Sequence, residues 1–247
     1  FVVGEEILRE KPVMSFREGD PLEDIKDAFK KLNSVEQKIV YNFYDMDEEK
    51  WSLLGVLRTN AIPKGQNAVE AALYCLICRV NHACAANARY IWRSDLGKEI
   101  LICQRPIRKN EEITVNYTDD MWRTAAERKA LLFEKFKFVC GCDMCRFSTK
   151  KNDNNMLRIK DLHDDIPRVV LRSPKLAIRK CENLLRLLVE EKLDDPANLY
   201  AAYYDLYQSL MLVNKKKARK ILKKVIHFCT LAEGDSIKTR KYKRLLM

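Results

Sequence analysis

The sequence predicts an α+β protein in two parts: a strand-bearing N-terminal part with a helical insertion, and an α-helical C-terminal part. Three observations predict it. Short apolar alternations bounded by turn residues recur as far as Tyr117. Helical periodicity takes over beyond residue 155. Between the two, Cys140, Cys142 and Cys145 fall within six residues and mark a compact ligand-bearing segment.

Residues 4–15 read as strand-like, with Pro12 near the end. Residues 21–54 read as helical: Pro21 opens a first turn, and Ile25, Phe29 and Leu32 follow at helical spacing, with Val40, Phe43 and Tyr44 later. Gly55 to Gly65 reads as strand and loop, and the apolar residues 68–78 as a short helix. Tyr90 to Gln104 alternates like a hairpin turning at Ser94-Asp95-Leu96-Gly97. Ile113 to Tyr117 reads as a short strand and Glu127 to Phe136 as a helix. Ser148 to Asn155 is polar and reads as a linker. After it, three apolar faces repeat at helical spacing: Ile178, Cys181, Leu184, Leu185 and Leu188; Leu199, Ala202, Tyr203, Leu206 and Leu210; Ala218, Ile221, Leu222, Val225 and Cys229. Asp195-Pro196 divides the first two, and the set is similar to antiparallel tetratricopeptide-like hairpins. The domain reading is therefore 1–134, a segment 135–147, and a helical domain 156–247.

The charge is +11 and uneven: residues 151–247 carry +10 and residues 1–150 carry +1. The excess includes Lys215-Lys216-Lys217, Arg219-Lys220, Lys223-Lys224 and Lys238 to Arg244. Solvated helix faces explain such runs, as does attraction to nucleic acid, chromatin or an acidic protein. An apolar run long enough to span a bilayer is missing, and so is a signal-peptide pattern. Phe1 in place of Met reads as a piece of a longer protein.

The nine cysteines are odd in number and unevenly spaced, which reads as a metal site in a reducing, intracellular compartment rather than a disulfide scaffold. Cys140-x-Cys142-x2-Cys145 supplies three thiolates, and zinc closes a structural site with four. A generic zinc finger takes the fourth from nearby, but the next cysteine is Cys181. Cys75, Cys78, Cys103, Cys181 and Cys229 lie on apolar segments and read as core cysteines.

Three segments carry a family resemblance. They are Arg79-Val80-Asn81-His82-Ala83-Cys84-Ala85-Ala86-Asn87, Glu111-Glu112-Ile113-Thr114-Val115-Asn116-Tyr117 and Cys140-Gly141-Cys142-Asp143-Met144-Cys145. With Gly4 to Pro12, Thr59-Asn60-Ala61, Arg105-Pro106-Ile107 and Phe136 to Val139, their order resembles a SET-domain protein-lysine methyltransferase of the SMYD-like branch. The resemblance implies a β-rich SET fold whose Asn-His and Asn-Tyr segments form a pseudoknot, with a zinc-binding post-SET segment. It implies S-adenosylmethionine as cofactor, held by Asn81, the His82 backbone, Asn60, Phe138 against the adenine, and Tyr117. Tyr117 is the implied catalytic tyrosine, Val115 and Phe136 line the lysine channel, and Cys84 joins Cys140, Cys142 and Cys145 on zinc.

The sequence departs from the branch at several points. The Asn-His-Ser-Cys pattern reads Asn-His-Ala-Cys, Cys78 and Ala86 replace a common serine and proline, and Phe136 replaces a common tyrosine. A zinc-binding MYND insertion is not visible between residues 13 and 60, and a Gly-x-Gly cofactor loop is expected upstream of Phe1. With no hydroxyl from Val115 or Phe136, methylation beyond the first methyl is expected. The expected activity is S-adenosylmethionine-dependent methylation of histone or non-histone lysines by a monomer in nucleus or cytoplasm. The alternative is a catalytically weak SET-like interaction module acting through its basic helices. A zinc-stabilised nucleic-acid-binding protein is the weaker third reading: the cysteines lie outside the basic region, and aromatic–basic stacking motifs are missing.

Overall fold

The computed structural model describes residues 1–46, 50–65, 68–118 and 121–246. Three small sheets build the N-terminal body. In the first, β1 (Glu6–Glu10) pairs with β7 (Lys98–Cys103), which pairs with β6 (Ala88–Arg93), all antiparallel. The β6–β7 hairpin turns at residues 94–97 as its sequence predicts, with Gly97 in the left-handed region at φ 60°. Its register sets Trp92 opposite Glu99 and Tyr90 opposite Leu101. In the second sheet, β4 (Glu70–Leu73) lies between β2 (Met14–Arg17) and β3 (Ile62–Pro63). The third is one parallel pair, β5 (Asn81–His82) with β8 (Thr114–Val115).

The helical insertion is broken rather than continuous. α1 (Leu22–Lys30) starts after Pro21, and α2 (Ser34–Tyr41) starts at a capping box in which the Asn33 side chain accepts from Val35 N and Glu36 N. α3 (Leu53–Asn60) runs through Gly55, where the sequence predicts strand and loop. The reason is tertiary: the Asp45 carboxylate sits where a side chain at residue 55 would go, so glycine lets α3 approach. Asp45 also accepts from Ser52 N and Ser52 Oγ at 2.8 and 3.2 Å, and Ser52 caps the helix. Residues 47–49 of the predicted 21–54 helix lie outside the described residues. The helix predicted over 68–78 is instead β4 followed by a 3₁₀ turn at Ile77–Arg79, because β2 and β3 both need β4 as a partner.

α4 (Ala125–Phe136) opens on a Thr124–Glu127 capping box and ends at Lys137, which adopts φ 59°. α5 (Asp143–Arg146) is one turn carrying Met144 and Cys145. The predicted linker 148–155 is largely helix: α6 (Lys150–Val169) begins at a Thr149–Asn152 capping box, so its polar side chains serve a cap and an exposed face. α7 (Pro174–Glu190), α8 (Pro196–Met211), α9 (Lys215–Glu233) and α10 (Ile237–Arg244) follow, each packed on its neighbour. Cys181, Leu184, Leu187, Leu188, Ala202, Leu206 and Ala218 are buried together, as the periodicity predicts. Cys181 and Cys229 are buried core cysteines and Cys75 and Cys78 are half-buried.

The helical part docks on the N-terminal body through α9, and Ala85, Met121, Trp122 and Met144 pack on its core. The Gln104 side chain donates to Ala232 O at 3.3 Å, and Gly4, at φ 86°, lies so close to Leu231 that a Cβ would meet its side chain at 2.9 Å. Arg240 adds an ion pair to Asp95 in the hairpin turn at 3.0 Å. Between the two parts lies a cleft of about 1510 Å³. Among the described residues, no helix is long and apolar enough to cross a membrane.

Candidate active site and metal centre

The site is assembled where β5 meets β8. Asn81 stands opposite Thr114 and His82 opposite Val115, and Ala83 N continues the pairing to Val115 O at 3.0 Å. Asn87 locks the two segments together. Its Oδ1 accepts from Thr114 N at 2.8 Å, its Nδ2 donates to Glu112 O at 2.9 Å, and the side chain is 4% exposed. Asn116 Nδ2 donates to Cys84 O at 3.3 Å.

This pairing delivers Tyr117 into the cleft. Its hydroxyl donates to Val80 O at 2.7 Å, and its backbone N–H donates to His82 Nδ1 at 3.0 Å. Burial pushes the Tyr117 phenol up to about 12, so it stays protonated at neutral pH. Because His82 Nδ1 accepts, the ring proton sits on Nε2, which lies 3.4 Å from Cys84 Sγ. Burial lowers His82 to about 4 and keeps it neutral. One imidazole thus ties the Tyr117 backbone to the cysteine cluster.

Aromatic rings close around Tyr117. Phe136 lies at 5.2 Å, His82 at 5.3 Å and Phe138 at 6.4 Å between ring centroids. Phe136 and Phe138 flank Lys137, whose left-handed conformation ends α4 and turns both rings onto the site. All of these except the backbone partners border the cleft, together with Asn60, Asn81 and Val115. Asn60 Nδ2 already donates to Tyr44 O and Val56 O at 2.7 and 2.8 Å, and Asn81 Nδ2 donates to Glu112 at 2.7 Å. Each therefore has its carbonyl oxygen left to offer a ligand. Val115 is 1% exposed and packs chiefly on Ala88 and Leu101.

The four cysteines Cys84, Cys140, Cys142 and Cys145 converge, their sulfurs all within 4.8 Å of one another. Cys84 Sγ lies 3.4 Å from Cys145 Sγ and 3.9 Å from Cys140 Sγ. A disulfide needs about 2.05 Å, whereas four sulfurs about 2.3 Å from a zinc ion stand about 3.8 Å apart. Arg128, 3% exposed on α4, provides a second test of fit. Its NH2 donates to Met144 O at 3.0 Å, and its buried Nε has no protein acceptor among the described residues. Burial opposes the guanidinium charge, but hydrogen bonding to Cys145 and the Cys145 and Cys84 sulfurs outweigh it and raise its pKa. Hydrogen bonds from Cys145 and Cys84 hold the Cys142 thiol well below its ordinary value. A buried cation beside sulfur-bound negative charge suits a dication held by thiolates, whose net charge stays negative.

Several cleft residues escape sequence reasoning. Tyr90 and Trp92 enter from β6, Glu99 from β7, Cys78 from the 3₁₀ turn, and Trp122 stacks on His163 at 5.0 Å. The alternation of the hairpin is the signal that puts Tyr90, Trp92 and Glu99 on one face. The Tyr90 hydroxyl has a weak contact of 3.5 Å with Ile77 O, and Tyr90 and Tyr117 pack on the same Ala88–Leu101–Val115 cluster. A phenol does reach the cleft, from a strand the motif reading did not include.

Comparisons with known proteins agree with this geometry. The SET domain family model matches residues 2–118, so the chain carries a SET domain. It is 24% identical over 196 residues, 77% of this chain and 60% of the relative, to histone-lysine N-methyltransferase set5 of Schizosaccharomyces pombe. It is 37% identical over 76 residues to histone-lysine N-methyltransferase ATXR2 of Arabidopsis thaliana, 30% of this chain and 16% of that protein. It is 33% identical over 90 residues to histone-lysine N-methyltransferase SMYD3 of Homo sapiens, 36% of this chain and 20% of that protein. The SMYD-like resemblance therefore holds, and the chain spans less than two thirds of the length of these relatives.

Glu99 generates a pH prediction. It is 1% exposed, accepts from the Tyr74 hydroxyl at 3.2 Å, and is pushed up to about 8 by burial. Its ordinary value is 4.5, so between pH 4.5 and 8 the native chain holds a proton that the unfolded chain has lost. Stability therefore falls as pH rises through that window, by roughly 3–5 kcal/mol at most, and levels off above it. Urea unfolding at pH 5, 6, 7 and 8 checks this, and Glu99→Gln is expected to flatten the slope.

Proposed function

We propose that this chain is the catalytic part of an S-adenosylmethionine-dependent protein-lysine N-methyltransferase. The observation that carries the reading is the placement of Tyr117. Its hydroxyl is fixed on Val80 O inside an aromatic ring of His82, Phe136 and Phe138, on the wall of a cleft wide enough for cofactor and peptide. Asn81, the His82 backbone, the Asn60 carbonyl and the Phe138 ring face would hold the cofactor, which supplies a methyl on a positively charged sulfur.

The residues of the chain do the rest. A lysine amine has a reference pKa of about 10.4 and must lose its proton to act as a nucleophile. Apolar walls at Val115 and Phe136 disfavour the charged form and so favour the neutral amine. The Tyr117 phenol, kept protonated by burial, holds a polar oxygen at the reacting centre without adding charge. Rings fixed by packing would restrict the approach of the amine, which reduces the entropic part of the barrier. Histone and non-histone lysines both fit this chemistry.

In this reading Cys84, Cys140, Cys142 and Cys145 bind one structural zinc ion, and Arg128 offsets part of the thiolate charge. Elemental analysis is expected to find about one zinc per chain. Arg128→Met, which keeps bulk and removes charge, is expected to weaken zinc retention about tenfold or more against a chelating dye. Unchanged retention would separate Arg128 from the metal.

The activity is tested by transfer of labelled methyl to histones and cell lysate. Tyr117→Phe is expected to leave the thermal midpoint and cofactor binding nearly unchanged and to lower turnover by about 100-fold or more. Equal turnover in the variant sinks the reading.

Tyr90 modifies the expectation of extended methylation. Its hydroxyl borders the same cleft as Val115 and Phe136 and would limit room around a methylated amine bound beside them. Mass spectrometry at long reaction times is expected to show a higher methylation state for Tyr90→Phe than for the unaltered chain.

A further inference from the structure

The surface of α9 and the end of α10 carries the most concentrated charge in the molecule. From Asn214 to Ala232 there are seven cations and no Asp or Glu, and none occurs after Asp235. Lys215, Lys216, Lys217, Arg219, Lys220, Lys223 and Lys224 are all exposed, and none is in an ion pair among the described residues. They spread over the side of α9 opposite Ala218, Leu222, Val225 and Cys229, which are buried. Arg219 donates to Leu246 O at 2.6 Å, which sets the end of α10 beside this surface and adds exposed Lys241 and Arg244.

This arrangement works against the helix. The first turn of α9 holds three lysines and no acid, although the N-terminal end of a helix dipole favours negative charge. Lys216 and Lys220, Arg219 and Lys223, and Lys220 and Lys224 are like charges one turn apart, and such pairs repel. The fold gains no internal ion pair from them among the described residues; Lys224 rests on Tyr203, donating to its hydroxyl at 3.3 Å, and the lysines at 215, 216, 217, 220 and 223 face outward with their charge open to an outside anion.

We propose that the α9–α10 surface binds the phosphate backbone of double-stranded nucleic acid without reading its sequence. A polyanion with evenly spaced charges fits an unpaired cationic field of this breadth. Lysine, the commoner cation here, contacts phosphate as a point charge. Among the described residues the exposed face of α9 over residues 215–224 and the exposed residues of α10 include no aromatic side chain, so a stacking platform for single strands is missing. The apolar face of α9 is buried against its neighbours and cannot enter a bilayer. α10 links this surface to the cleft: Lys238 borders the cleft, and Arg244 lies six residues further, about 9 Å along the helix. Nucleic acid bound here would hold the cleft beside proteins carried on it. The proposal does not depend on methyl transfer.

Fluorescence anisotropy of the whole chain tests it, with a 20-base-pair DNA duplex, the matching RNA duplex, a single strand, an acidic peptide, and vesicles of phosphatidylcholine and phosphatidylserine. Duplex is expected to bind most tightly, whatever its sequence, with log affinity falling linearly as log salt rises. The DNA and RNA arms show which duplex is preferred. Lys216→Glu/Lys220→Glu/Lys223→Glu is expected to lose at least about tenfold in affinity at 100 mM salt. Lys11→Glu/Lys31→Glu/Lys109→Glu changes the net charge equally on exposed residues elsewhere and is expected to stay within about threefold. Circular dichroism confirms that both variants fold. Equal losses in the two variants, tighter binding to vesicle, peptide or single strand, or no duplex binding at low salt would each overturn the proposal.

Discussion

The site depends on one pairing, that of Asn81–His82 with Thr114–Val115. These segments are 33 residues apart and share two ladder positions. A parallel pair this short is weak alone, because each residue contributes a single net hydrogen bond of about 1 kcal/mol. Asn87 supplies what the ladder lacks. Its buried amide bonds Thr114 N and Glu112 O, and its own carbonyl accepts from Gln104 N and Arg105 N. Asn87 thereby ties the start of β6 to β8 through its side chain and to the residues just after β7 through its backbone carbonyl, and leaving its partners unsatisfied would cost more than the bonds contribute.

Everything chemical hangs from that junction. Tyr117 follows β8 by two residues and Cys84 follows β5 by two, so fixing the pair fixes both. His82 then joins them, accepting from the Tyr117 backbone on one nitrogen and facing the Cys84 sulfur with the other. A structural ion held by Cys84 and the Cys140–Cys145 segment would also fix Phe136 and Phe138, which lie just before Cys140 and pack on the same cluster. With an ion bound, the cysteine cluster would act as a clamp that brings the end of α4 onto the site.

The cleft has a different origin. One wall is the hairpin of β6 and β7, and the other is made by α8, the end of α9 and the start of α10. Gly4 against Leu231, Gln104 on Ala232 O and the Arg240–Asp95 ion pair join the sheets to α9 and α10, while Ala85, Met121, Trp122 and Met144 pack on the helical core. The ion pair is partly exposed and contributes little, so close packing at Gly4 and against the helical core sets the spacing.

By itself, the sequence determined the class of fold, the hairpin and its turn, the three C-terminal apolar helix faces beyond residue 173, and the cysteines that converge. These are local signals: spacing of apolar residues, turn glycines and motif order. The tertiary structure decided what local signals do not carry. Gly55 looks like a breaker but lies inside α3, because Asp45 occupies the space of its side chain. Residues 150–155 look like a linker but are helix, because Thr149 and Asn152 form a cap. Residues 70–73 look helical but are the central strand that β2 and β3 require. Arg128 and Tyr90 carry no motif, and their importance comes only from burial beside sulfurs and from hairpin register. Sequence order records which residues are present, whereas a buried charge or a shared cleft wall exists only once distant segments have packed.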